Sequence, residues 1–299
     1  MSFSVRLTEV AEGAHAYIQD DGSWFVNNSG ILVGSRQGLL VDTCATVNRT
    51  RELLSTARGI GLPPNPLVVA THHHADHTNG LSLVEPSAII AHAEVPGEMA
   101  AAFAIPPPGL FEEVEWGEIE VCSPTLTFED RLSLDLGGLV AEVVYCGSAA
   151  HTRGDSYVYL PESRVLFAGD LVFNGVTPFA AMGSISGWIE ALVNLAELAV
   201  DVVVPGHGEL CDTSVMRSVG RYLRLVQEVA RGAVEAGVCP LEAARSIDLG
   251  EFAGWLDTER IVGNLHAAMA ELAGGAVDLM GAFLDMKEYA GGRPLRCIA

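Results

Sequence analysis

The chain has 299 residues, 49% of them hydrophobic and 18% charged, with a formal net charge of −21. That length can bury a substantial core, and that apolar content excludes a disordered chain. A surface so acidic repels phosphate backbones and anionic lipids, which argues against nucleic acid and membrane surfaces as partners.

From the N-terminus, short alternating or apolar runs at Ser4 to Leu7, His15 to Ile18, Gly30 to Val33 and Leu39 to Val41 predict a meander of strands. Asn48 or Thr50 can cap a helix through Arg51 to Arg58, which Gly59 ends before Pro63 and Pro64. The apolar run Leu67 to Ala70 predicts the next strand. A second strand group is expected at Leu139 to Tyr145, Tyr157 to Leu160 and Val165 to Ala168, then a helix from Trp188 to Ala199 and a strand at Val202 to Val204. After Cys211, apolar residues recur at steps of three, four or seven, from Val215, Val219, Tyr222 and Val226 to Ile261, Leu265, Met269 and Leu272. The plan is a main domain of residues 1–211 and a helical extension of residues 212–299, which either packs on the core or also roofs the site.

No apolar stretch reaches the roughly 18 residues of a membrane span, and Met1 to Arg6 lacks the basic start and apolar stretch of a signal peptide. The expected location is the cytoplasm. Six cysteines, at 44, 122, 146, 211, 239 and 297, show no disulfide or zinc-ribbon spacing, so reduced thiols are expected.

The strand at Leu67 to Ala70 runs directly into Thr71, His72, His73, His74, Ala75, Asp76 and His77, so four of the nine histidines stand within six residues. Alternation turns His72 and His74 the same way and His73 elsewhere. Imidazole nitrogen and carboxylate oxygen suit zinc, and a catalytic site leaves coordination room for water or substrate. Three further candidates, His151, Asp170 and His207, each end an apolar run beside small residues. His15, His92 and His266 lack such context, and His73 reads either as an ordinary buried residue or as a support behind a ligand.

This set resembles the metallo-β-lactamase superfamily, whose signature H-x-H-x-D-H is followed by a His, a bridging Asp and a final His. The resemblance covers roughly residues 5 to 210. It implies an αββα sandwich, where periodicity alone supports a mixed α/β class. It also implies two zinc ions, with iron or manganese as alternatives: His72, His74 and His151 would hold one, Asp76, His77 and His207 the other, and Asp170 would bridge them. Two such ions about 3.5–4 Å apart share a hydroxide, so a metal-bound hydroxide and Asp76 become the expected catalytic groups. Asp42 matches an acidic residue that the family keeps beside the site. Asp170 argues against β-lactamase activity, because the family's lactamases usually place Cys or Ser at that point.

Two loops are apolar where a loop is expected to be polar: Phe103 to Phe111 and Leu171 to Trp188. Phe111, Phe179, Met182 and Trp188 either wall a pocket for a flat or greasy substrate or pack under the C-terminal helices. The runs Trp116 to Glu120, Gly175 to Phe179, Leu249 to Asp257 and Tyr289 to Ala299 are similar to the cyclases of bacterial aromatic polyketide clusters. That resemblance implies a zinc-dependent cyclase and thioesterase acting on a polyketide intermediate attached to an acyl carrier protein. Arg217, Arg221 and Arg224, spaced i, i+4, i+7, are either a docking patch for such an acidic carrier or a solvated helix face. A thioesterase or lactonase of the same fold, a metal-free binding module and a di-iron electron-transfer protein are the other readings, and the number of subunits stays open.

Overall fold

The computed structural model describes residues 4–19 and 21–299. Met1 to Phe3, part of the stretch weighed above as a signal peptide, lie outside the described residues. The chain runs through β1 (Val5–Ala11), β2 (Ala14–Gln19), β3 (Ser29–Val33), β4 (Gly38–Val41), α1 (Val47–Gly59) and β5 (Leu67–Val69). A one-turn helix α2 (Ala75–Thr78) follows, then a 3-10 turn at Asn79–Leu83, β6 (Ala88–His92), α3 (Val95–Ala101) and β7 (Leu126–Phe128). Next come β8 (Arg131–Asp135), β9 (Val140–Tyr145), β10 (Ser156–Leu160), β11 (Val165–Asn174), α4 (Ile185–Leu195) and β12 (Val202–Gly208). Four helices complete the chain: α5 (Ser214–Ala236), α6 (Pro240–Ser246), α7 (Arg260–Ala273) and α8 (Leu279–Tyr289).

Strands β1 to β7 form one sheet in chain order, antiparallel up to β4 and parallel from β4 to β7. The second sheet has the order β12-β11-β10-β9-β8, with β11 and β12 parallel. Parallel neighbours need a crossover, which α1 provides between β4 and β5 and α4 between β11 and β12. Between the sheets lie Leu32, Val41, Val69 and Ile90 from the first and Val143, Val158, Leu160 and Phe167 from the second. The outer face of the first sheet is covered by α1 through Leu53, Leu54 and Ala57, and that of the second by α4 and α5. This is the expected αββα sandwich. The C-terminal helices share one continuous core with β11 and α4. Among the described residues, no helix is long and apolar enough to cross a membrane.

Several boundaries differ from the sequence expectation. Helix α1 begins at Val47, because Thr46 is extended and its side chain accepts the Arg49 N–H, leaving Asn48 and Thr50 inside the first turn. Strand β11 runs on to Asn174 with irregular register around Gly169, whose φ of +52° breaks the pattern that alternation would reveal. Helix α4 starts at Ile185, capped by Ser184, and ends at Leu195, short of Ala199. The strands β6, β7 and β8 and helix α3 were not anticipated.

The two sheets approach closely at Gly30, where an added Cβ would stand 2.6 Å from the Phe167 ring. Phe167 fills the space that the missing side chain leaves. Phe167→Ala should therefore cost on the order of 3–5 kcal/mol in urea unfolding, and a loss below about 1 kcal/mol would contradict this packing.

Candidate metal centre

The seven candidate ligands converge at one edge of the sandwich. After Val69 the chain leaves β5, so His72, His73 and His74 lie in a tight irregular turn and Asp76 and His77 in α2. His151 comes from the loop between β9 and β10, Asp170 from β11 and His207 from β12. His72, His74, His151 and Asp170 form one group and Asp76, His77 and His207 another, with the ligand atoms of each within 4.8 Å of one another. Asp170 stands between them: Oδ1 is 3.2 Å from His77 Nε2, and Oδ2 is 3.3 Å from His151 Nε2 and 3.4 Å from His207 Nε2.

Four of the five candidate rings are oriented from behind through their other nitrogen, whereas His74 has Nδ1 2.8 Å from His151 Nε2 and Nε2 2.8 Å from Met182 Sδ. Nδ1 of His77 donates to Asp42 Oδ2 at 2.8 Å, that of His151 to Phe179 O at 2.6 Å, and that of His207 to Gly22 O at 3.0 Å. Nδ1 of His72 meets Thr71 Oγ1 at 3.0 Å, and that hydroxyl donates onward to Asp42. An Nδ1–H committed to a carbonyl or carboxylate leaves Nε2 as the lone-pair nitrogen, the tautomer a metal ligand requires. His72 Nε2, His77 Nε2 and Asp170 Oδ1 are buried with no hydrogen-bond partner among the described residues. Buried polar atoms without a well-formed partner are costly, and imidazole nitrogens grouped around a carboxylate suit a bound cation, so the ligand set fits bound metal.

Asp42 is the shared anchor. Its carboxylate accepts from the Thr71 N–H at 2.7 Å, the Thr71 hydroxyl at 2.8 Å and His77, and its own backbone is left-handed at φ +60°. Such a conformation costs an ordinary side chain free energy and persists where the surroundings enforce it. His73 points away, with Nδ1 3.4 Å from Glu98 Oε2. His92 stacks on Tyr145, His266 pairs with Asp285, and no cysteine joins either ligand group.

Burial drives the charge states apart. It depresses His72 and His74 well below the ordinary imidazole range, aided by neighbouring imidazoles, and takes His151 down to about 4. Burial also acts on His77 and His207, but there the carboxylates outweigh it. Asp170, Asp42 and Asp76 raise His77, and Asp170 and Asp76 raise His207 to about 9. Asp170 and Asp76 are correspondingly held low: burial works against their charge, and His77 and His207 more than offset it.

A cavity of about 250 Å³ opens onto His74, Asp76, His151, Asp170 and His207. Phe111, Phe179 and Met182 line it, whereas Trp188 does not and the expectation for that residue is corrected. The Ser184 cap sets the phase of α4 so that Trp188 points into the core, fully buried, its Nε1 donating to Leu171 O and its ring 5.2 Å from that of His151. Trp24, Phe25, Phe283 and Arg260 also form the wall. No local pattern marked them, since they come from a loop after β2 and from two distant helices. Trp24 meets Phe111 and Phe179 edge-on at 5.2 and 5.1 Å. The chain's single lysine, Lys287, donates to Gly109 O, and Leu295 bonds the backbone at Leu110 and Glu112. Helix α8 and the C-terminal tail thus tether the proline-rich loop that walls the cavity.

The family model of the Metallo-beta-lactamase superfamily matches residues 22–207, and the chain belongs to that superfamily. An acyl-coenzyme A thioesterase, MBLAC2 of Bos taurus, is 26% identical over 211 residues, covering 60% of this chain and 72% of that protein. A hydroxyacylglutathione hydrolase of Rhodobacter capsulatus is 31% identical over 141 residues, 47% of each chain. Among solved structures, a metallo-beta-lactamase from Pontibacter korlensis superposes with a TM-score of 0.61 at 22% identity, covering 74% of this chain and 99% of that one. Helices α5 to α8 lie beyond the matched family segment.

An added Cβ at Gly206 would stand 1.9 Å from Asp170 Oδ1. Gly206→Ala should displace that carboxylate and sharply lower the metal retained on purification while the circular dichroism spectrum holds; full metal content would contradict the placement. In the metal-free chain His77 and His207 are cationic at neutral pH, and a ligand must be neutral. Zinc uptake at pH 7 should therefore release protons, and apparent affinity should rise with pH up to about 9. Calorimetry in buffers of different ionisation enthalpy measures this, and uptake without proton release would refute the charge assignment.

Proposed function

We propose that this chain is a metal-dependent hydrolase of acyl thioesters whose acyl group is bulky and apolar. The observation that carries this reading is the aromatic cavity opening directly onto both candidate ligand groups. The relatives named acyl-coenzyme A thioesterase and hydroxyacylglutathione hydrolase support hydrolysis of an acyl conjugate. Two zinc ions held by the seven residues would polarise the thioester carbonyl and acidify a water.

The protein's own groups account for the remainder. Asp76 stays ionised at neutral pH and faces the cavity, so it can take the proton of an attacking water. Water oxygen bonds to the acyl carbon, the carbon–sulfur bond breaks, and the sulfur leaves as the thiol with one proton. Phe111, Phe179 and Phe283 hold the acyl group and exclude bulk water from it.

A second reading is favoured by the aromatic character of the walls: closure of a ring in a polyketide carried by an acyl carrier protein, before the same thioester is cut. Here Asp76 removes a proton from the carbon between two carbonyls, that carbon attacks a ketone, and the ketone oxygen gains a proton. For a carrier, Arg217, Arg221 and Arg224 are exposed together on α5, though Glu251 already holds Arg221 at 2.8 Å. Zinc is the preferred metal in both readings.

Mass spectrometry separates the two: turnover of simple aryl-acyl thioesters alone supports the hydrolase, and a cyclised product from a carrier-bound intermediate supports the cyclase. His74→Ala should lose zinc and abolish either activity. A fully active, zinc-loaded variant would overturn the reading.

A further inference from the structure

Arg260, the first residue of α7, is a buried charge on the wall of the aromatic cavity, 2% exposed. Apart from the candidate metal ligands, it is the only charged side chain among the described residues that line this cavity. Three contacts fix it. Its guanidinium carbon lies 3.9 Å from the centroid of the Trp24 ring, Nη1 donates to Thr177 O at 2.9 Å, and Nη2 lies 2.8 Å from Asp257 Oδ2. The Trp24 indole is itself tied down by Nε1, which donates to Glu259 at 2.7 Å.

Asp257 lines an outer groove and not this cavity, so it holds Arg260 from behind. Arg260 Nε has no hydrogen-bond partner among the described residues. Phe173 connects the group to the metal centre: its ring centroid is 5.8 Å from the guanidinium carbon, and it stacks on the His207 ring at 5.1 Å with 2° between planes. A guanidinium stays charged at any physiological pH and carries five N–H donors in a rigid fork. Asp257 and Thr177 O take up only part of that donor set, and apart from the candidate metal ligands the guanidinium is the one charged group among the described residues on an otherwise apolar wall. A purely hydrocarbon acyl group would offer its remaining donors no acceptor.

We propose that Arg260 binds an anionic oxygen on the acyl part of the substrate, a carboxylate or the enolate of a 1,3-dicarbonyl, and so selects such acyl groups over neutral ones. This rests on the reading above that the cavity receives the acyl group. The fork geometry suits an oxygen pair, and the fixed guanidinium loses little freedom on binding it. A site built to pair a polar group discriminates against the analogue that lacks it. Arg260 lies outside the segment matched by the family model, so this selectivity belongs to the C-terminal helices.

Calorimetric binding of three probes to the zinc-loaded full chain tests the proposal without requiring turnover: naphthylacetate, naphthoylacetone and the neutral naphthylacetamide. One anionic probe should bind at least tenfold tighter than the amide, and which one does so identifies the carboxylate or the enolate. Arg260→Leu alone strands Asp257, so the variant is Arg260→Leu with Asp257→Asn, compared at equal zinc content; the preference should fall below threefold. Arg260→Lys keeps a charge but loses the fork, and should reduce the preference severalfold. Equal binding of all three probes by the wild type, or a preference that survives these substitutions because the metals alone attract the anion, would overturn the proposal. Since the readout is binding, absence of thioester hydrolysis with the preference intact would count against the hydrolase reading only.

Discussion

A desolvated carboxylate surrounded by imidazoles is the constraint on which the architecture turns. Asp170 has the nitrogens of His77, His151 and His207 within 3.4 Å, and these residues arrive from both sheets. The carboxylate sits where β11 and β12 run parallel with irregular register, and it fits only because Gly206 has no side chain. Its neighbour Gly169 takes a left-handed turn against Thr71, whose hydroxyl would lie 2.7 Å from an added Cβ. Packing of the two sheets is thus inseparable from assembly of the site.

Around that centre, four of the five candidate imidazoles are held by a partner behind them, two of these partners being backbone carbonyls of other loops. Phe179 O holds His151 and Gly22 O holds His207, so the loops that supply cavity walls also orient ligands. A substitution that shifts the loop after β2 would move both an aromatic wall and a candidate ligand. Such coupling ties the geometry of the cavity wall to that of the candidate ligands.

The C-terminal helices contribute differently. They share the core of the second sheet, and α7 and α8 bring Arg260 and Phe283 to the cavity. The family segment ends at residue 207, so the ligand groups lie within it while part of the cavity wall lies beyond it. A cavity wall contributed by an added layer can change while the ligand positions stay unaltered.

Many of the strands and the mixed α/β class were legible because alternation and apolar runs reflect burial on one or two faces, as in Gly38–Val41 and Val140–Tyr145, whereas the sandwich followed only from the family resemblance carried by the ligand motif. The spacing from His72 to His77 was legible because four of the candidates lie within six consecutive residues, in one irregular turn and the helical turn α2 that follows it. The start of α1 was not, because the capping of Thr46 depends on a backbone angle that Asn48 and Thr50 could equally have adopted. Trp188 was misplaced because only the phase of α4 against the core decides which way an aromatic residue at its first turn points. The sequence by itself determined which chemical groups were available and near which strand ends; the tertiary structure decided which nitrogen of each histidine faces the centre and that Arg260 reaches the cavity. Those outcomes depend on contacts between segments dozens to hundreds of residues apart, and no local pattern encodes them.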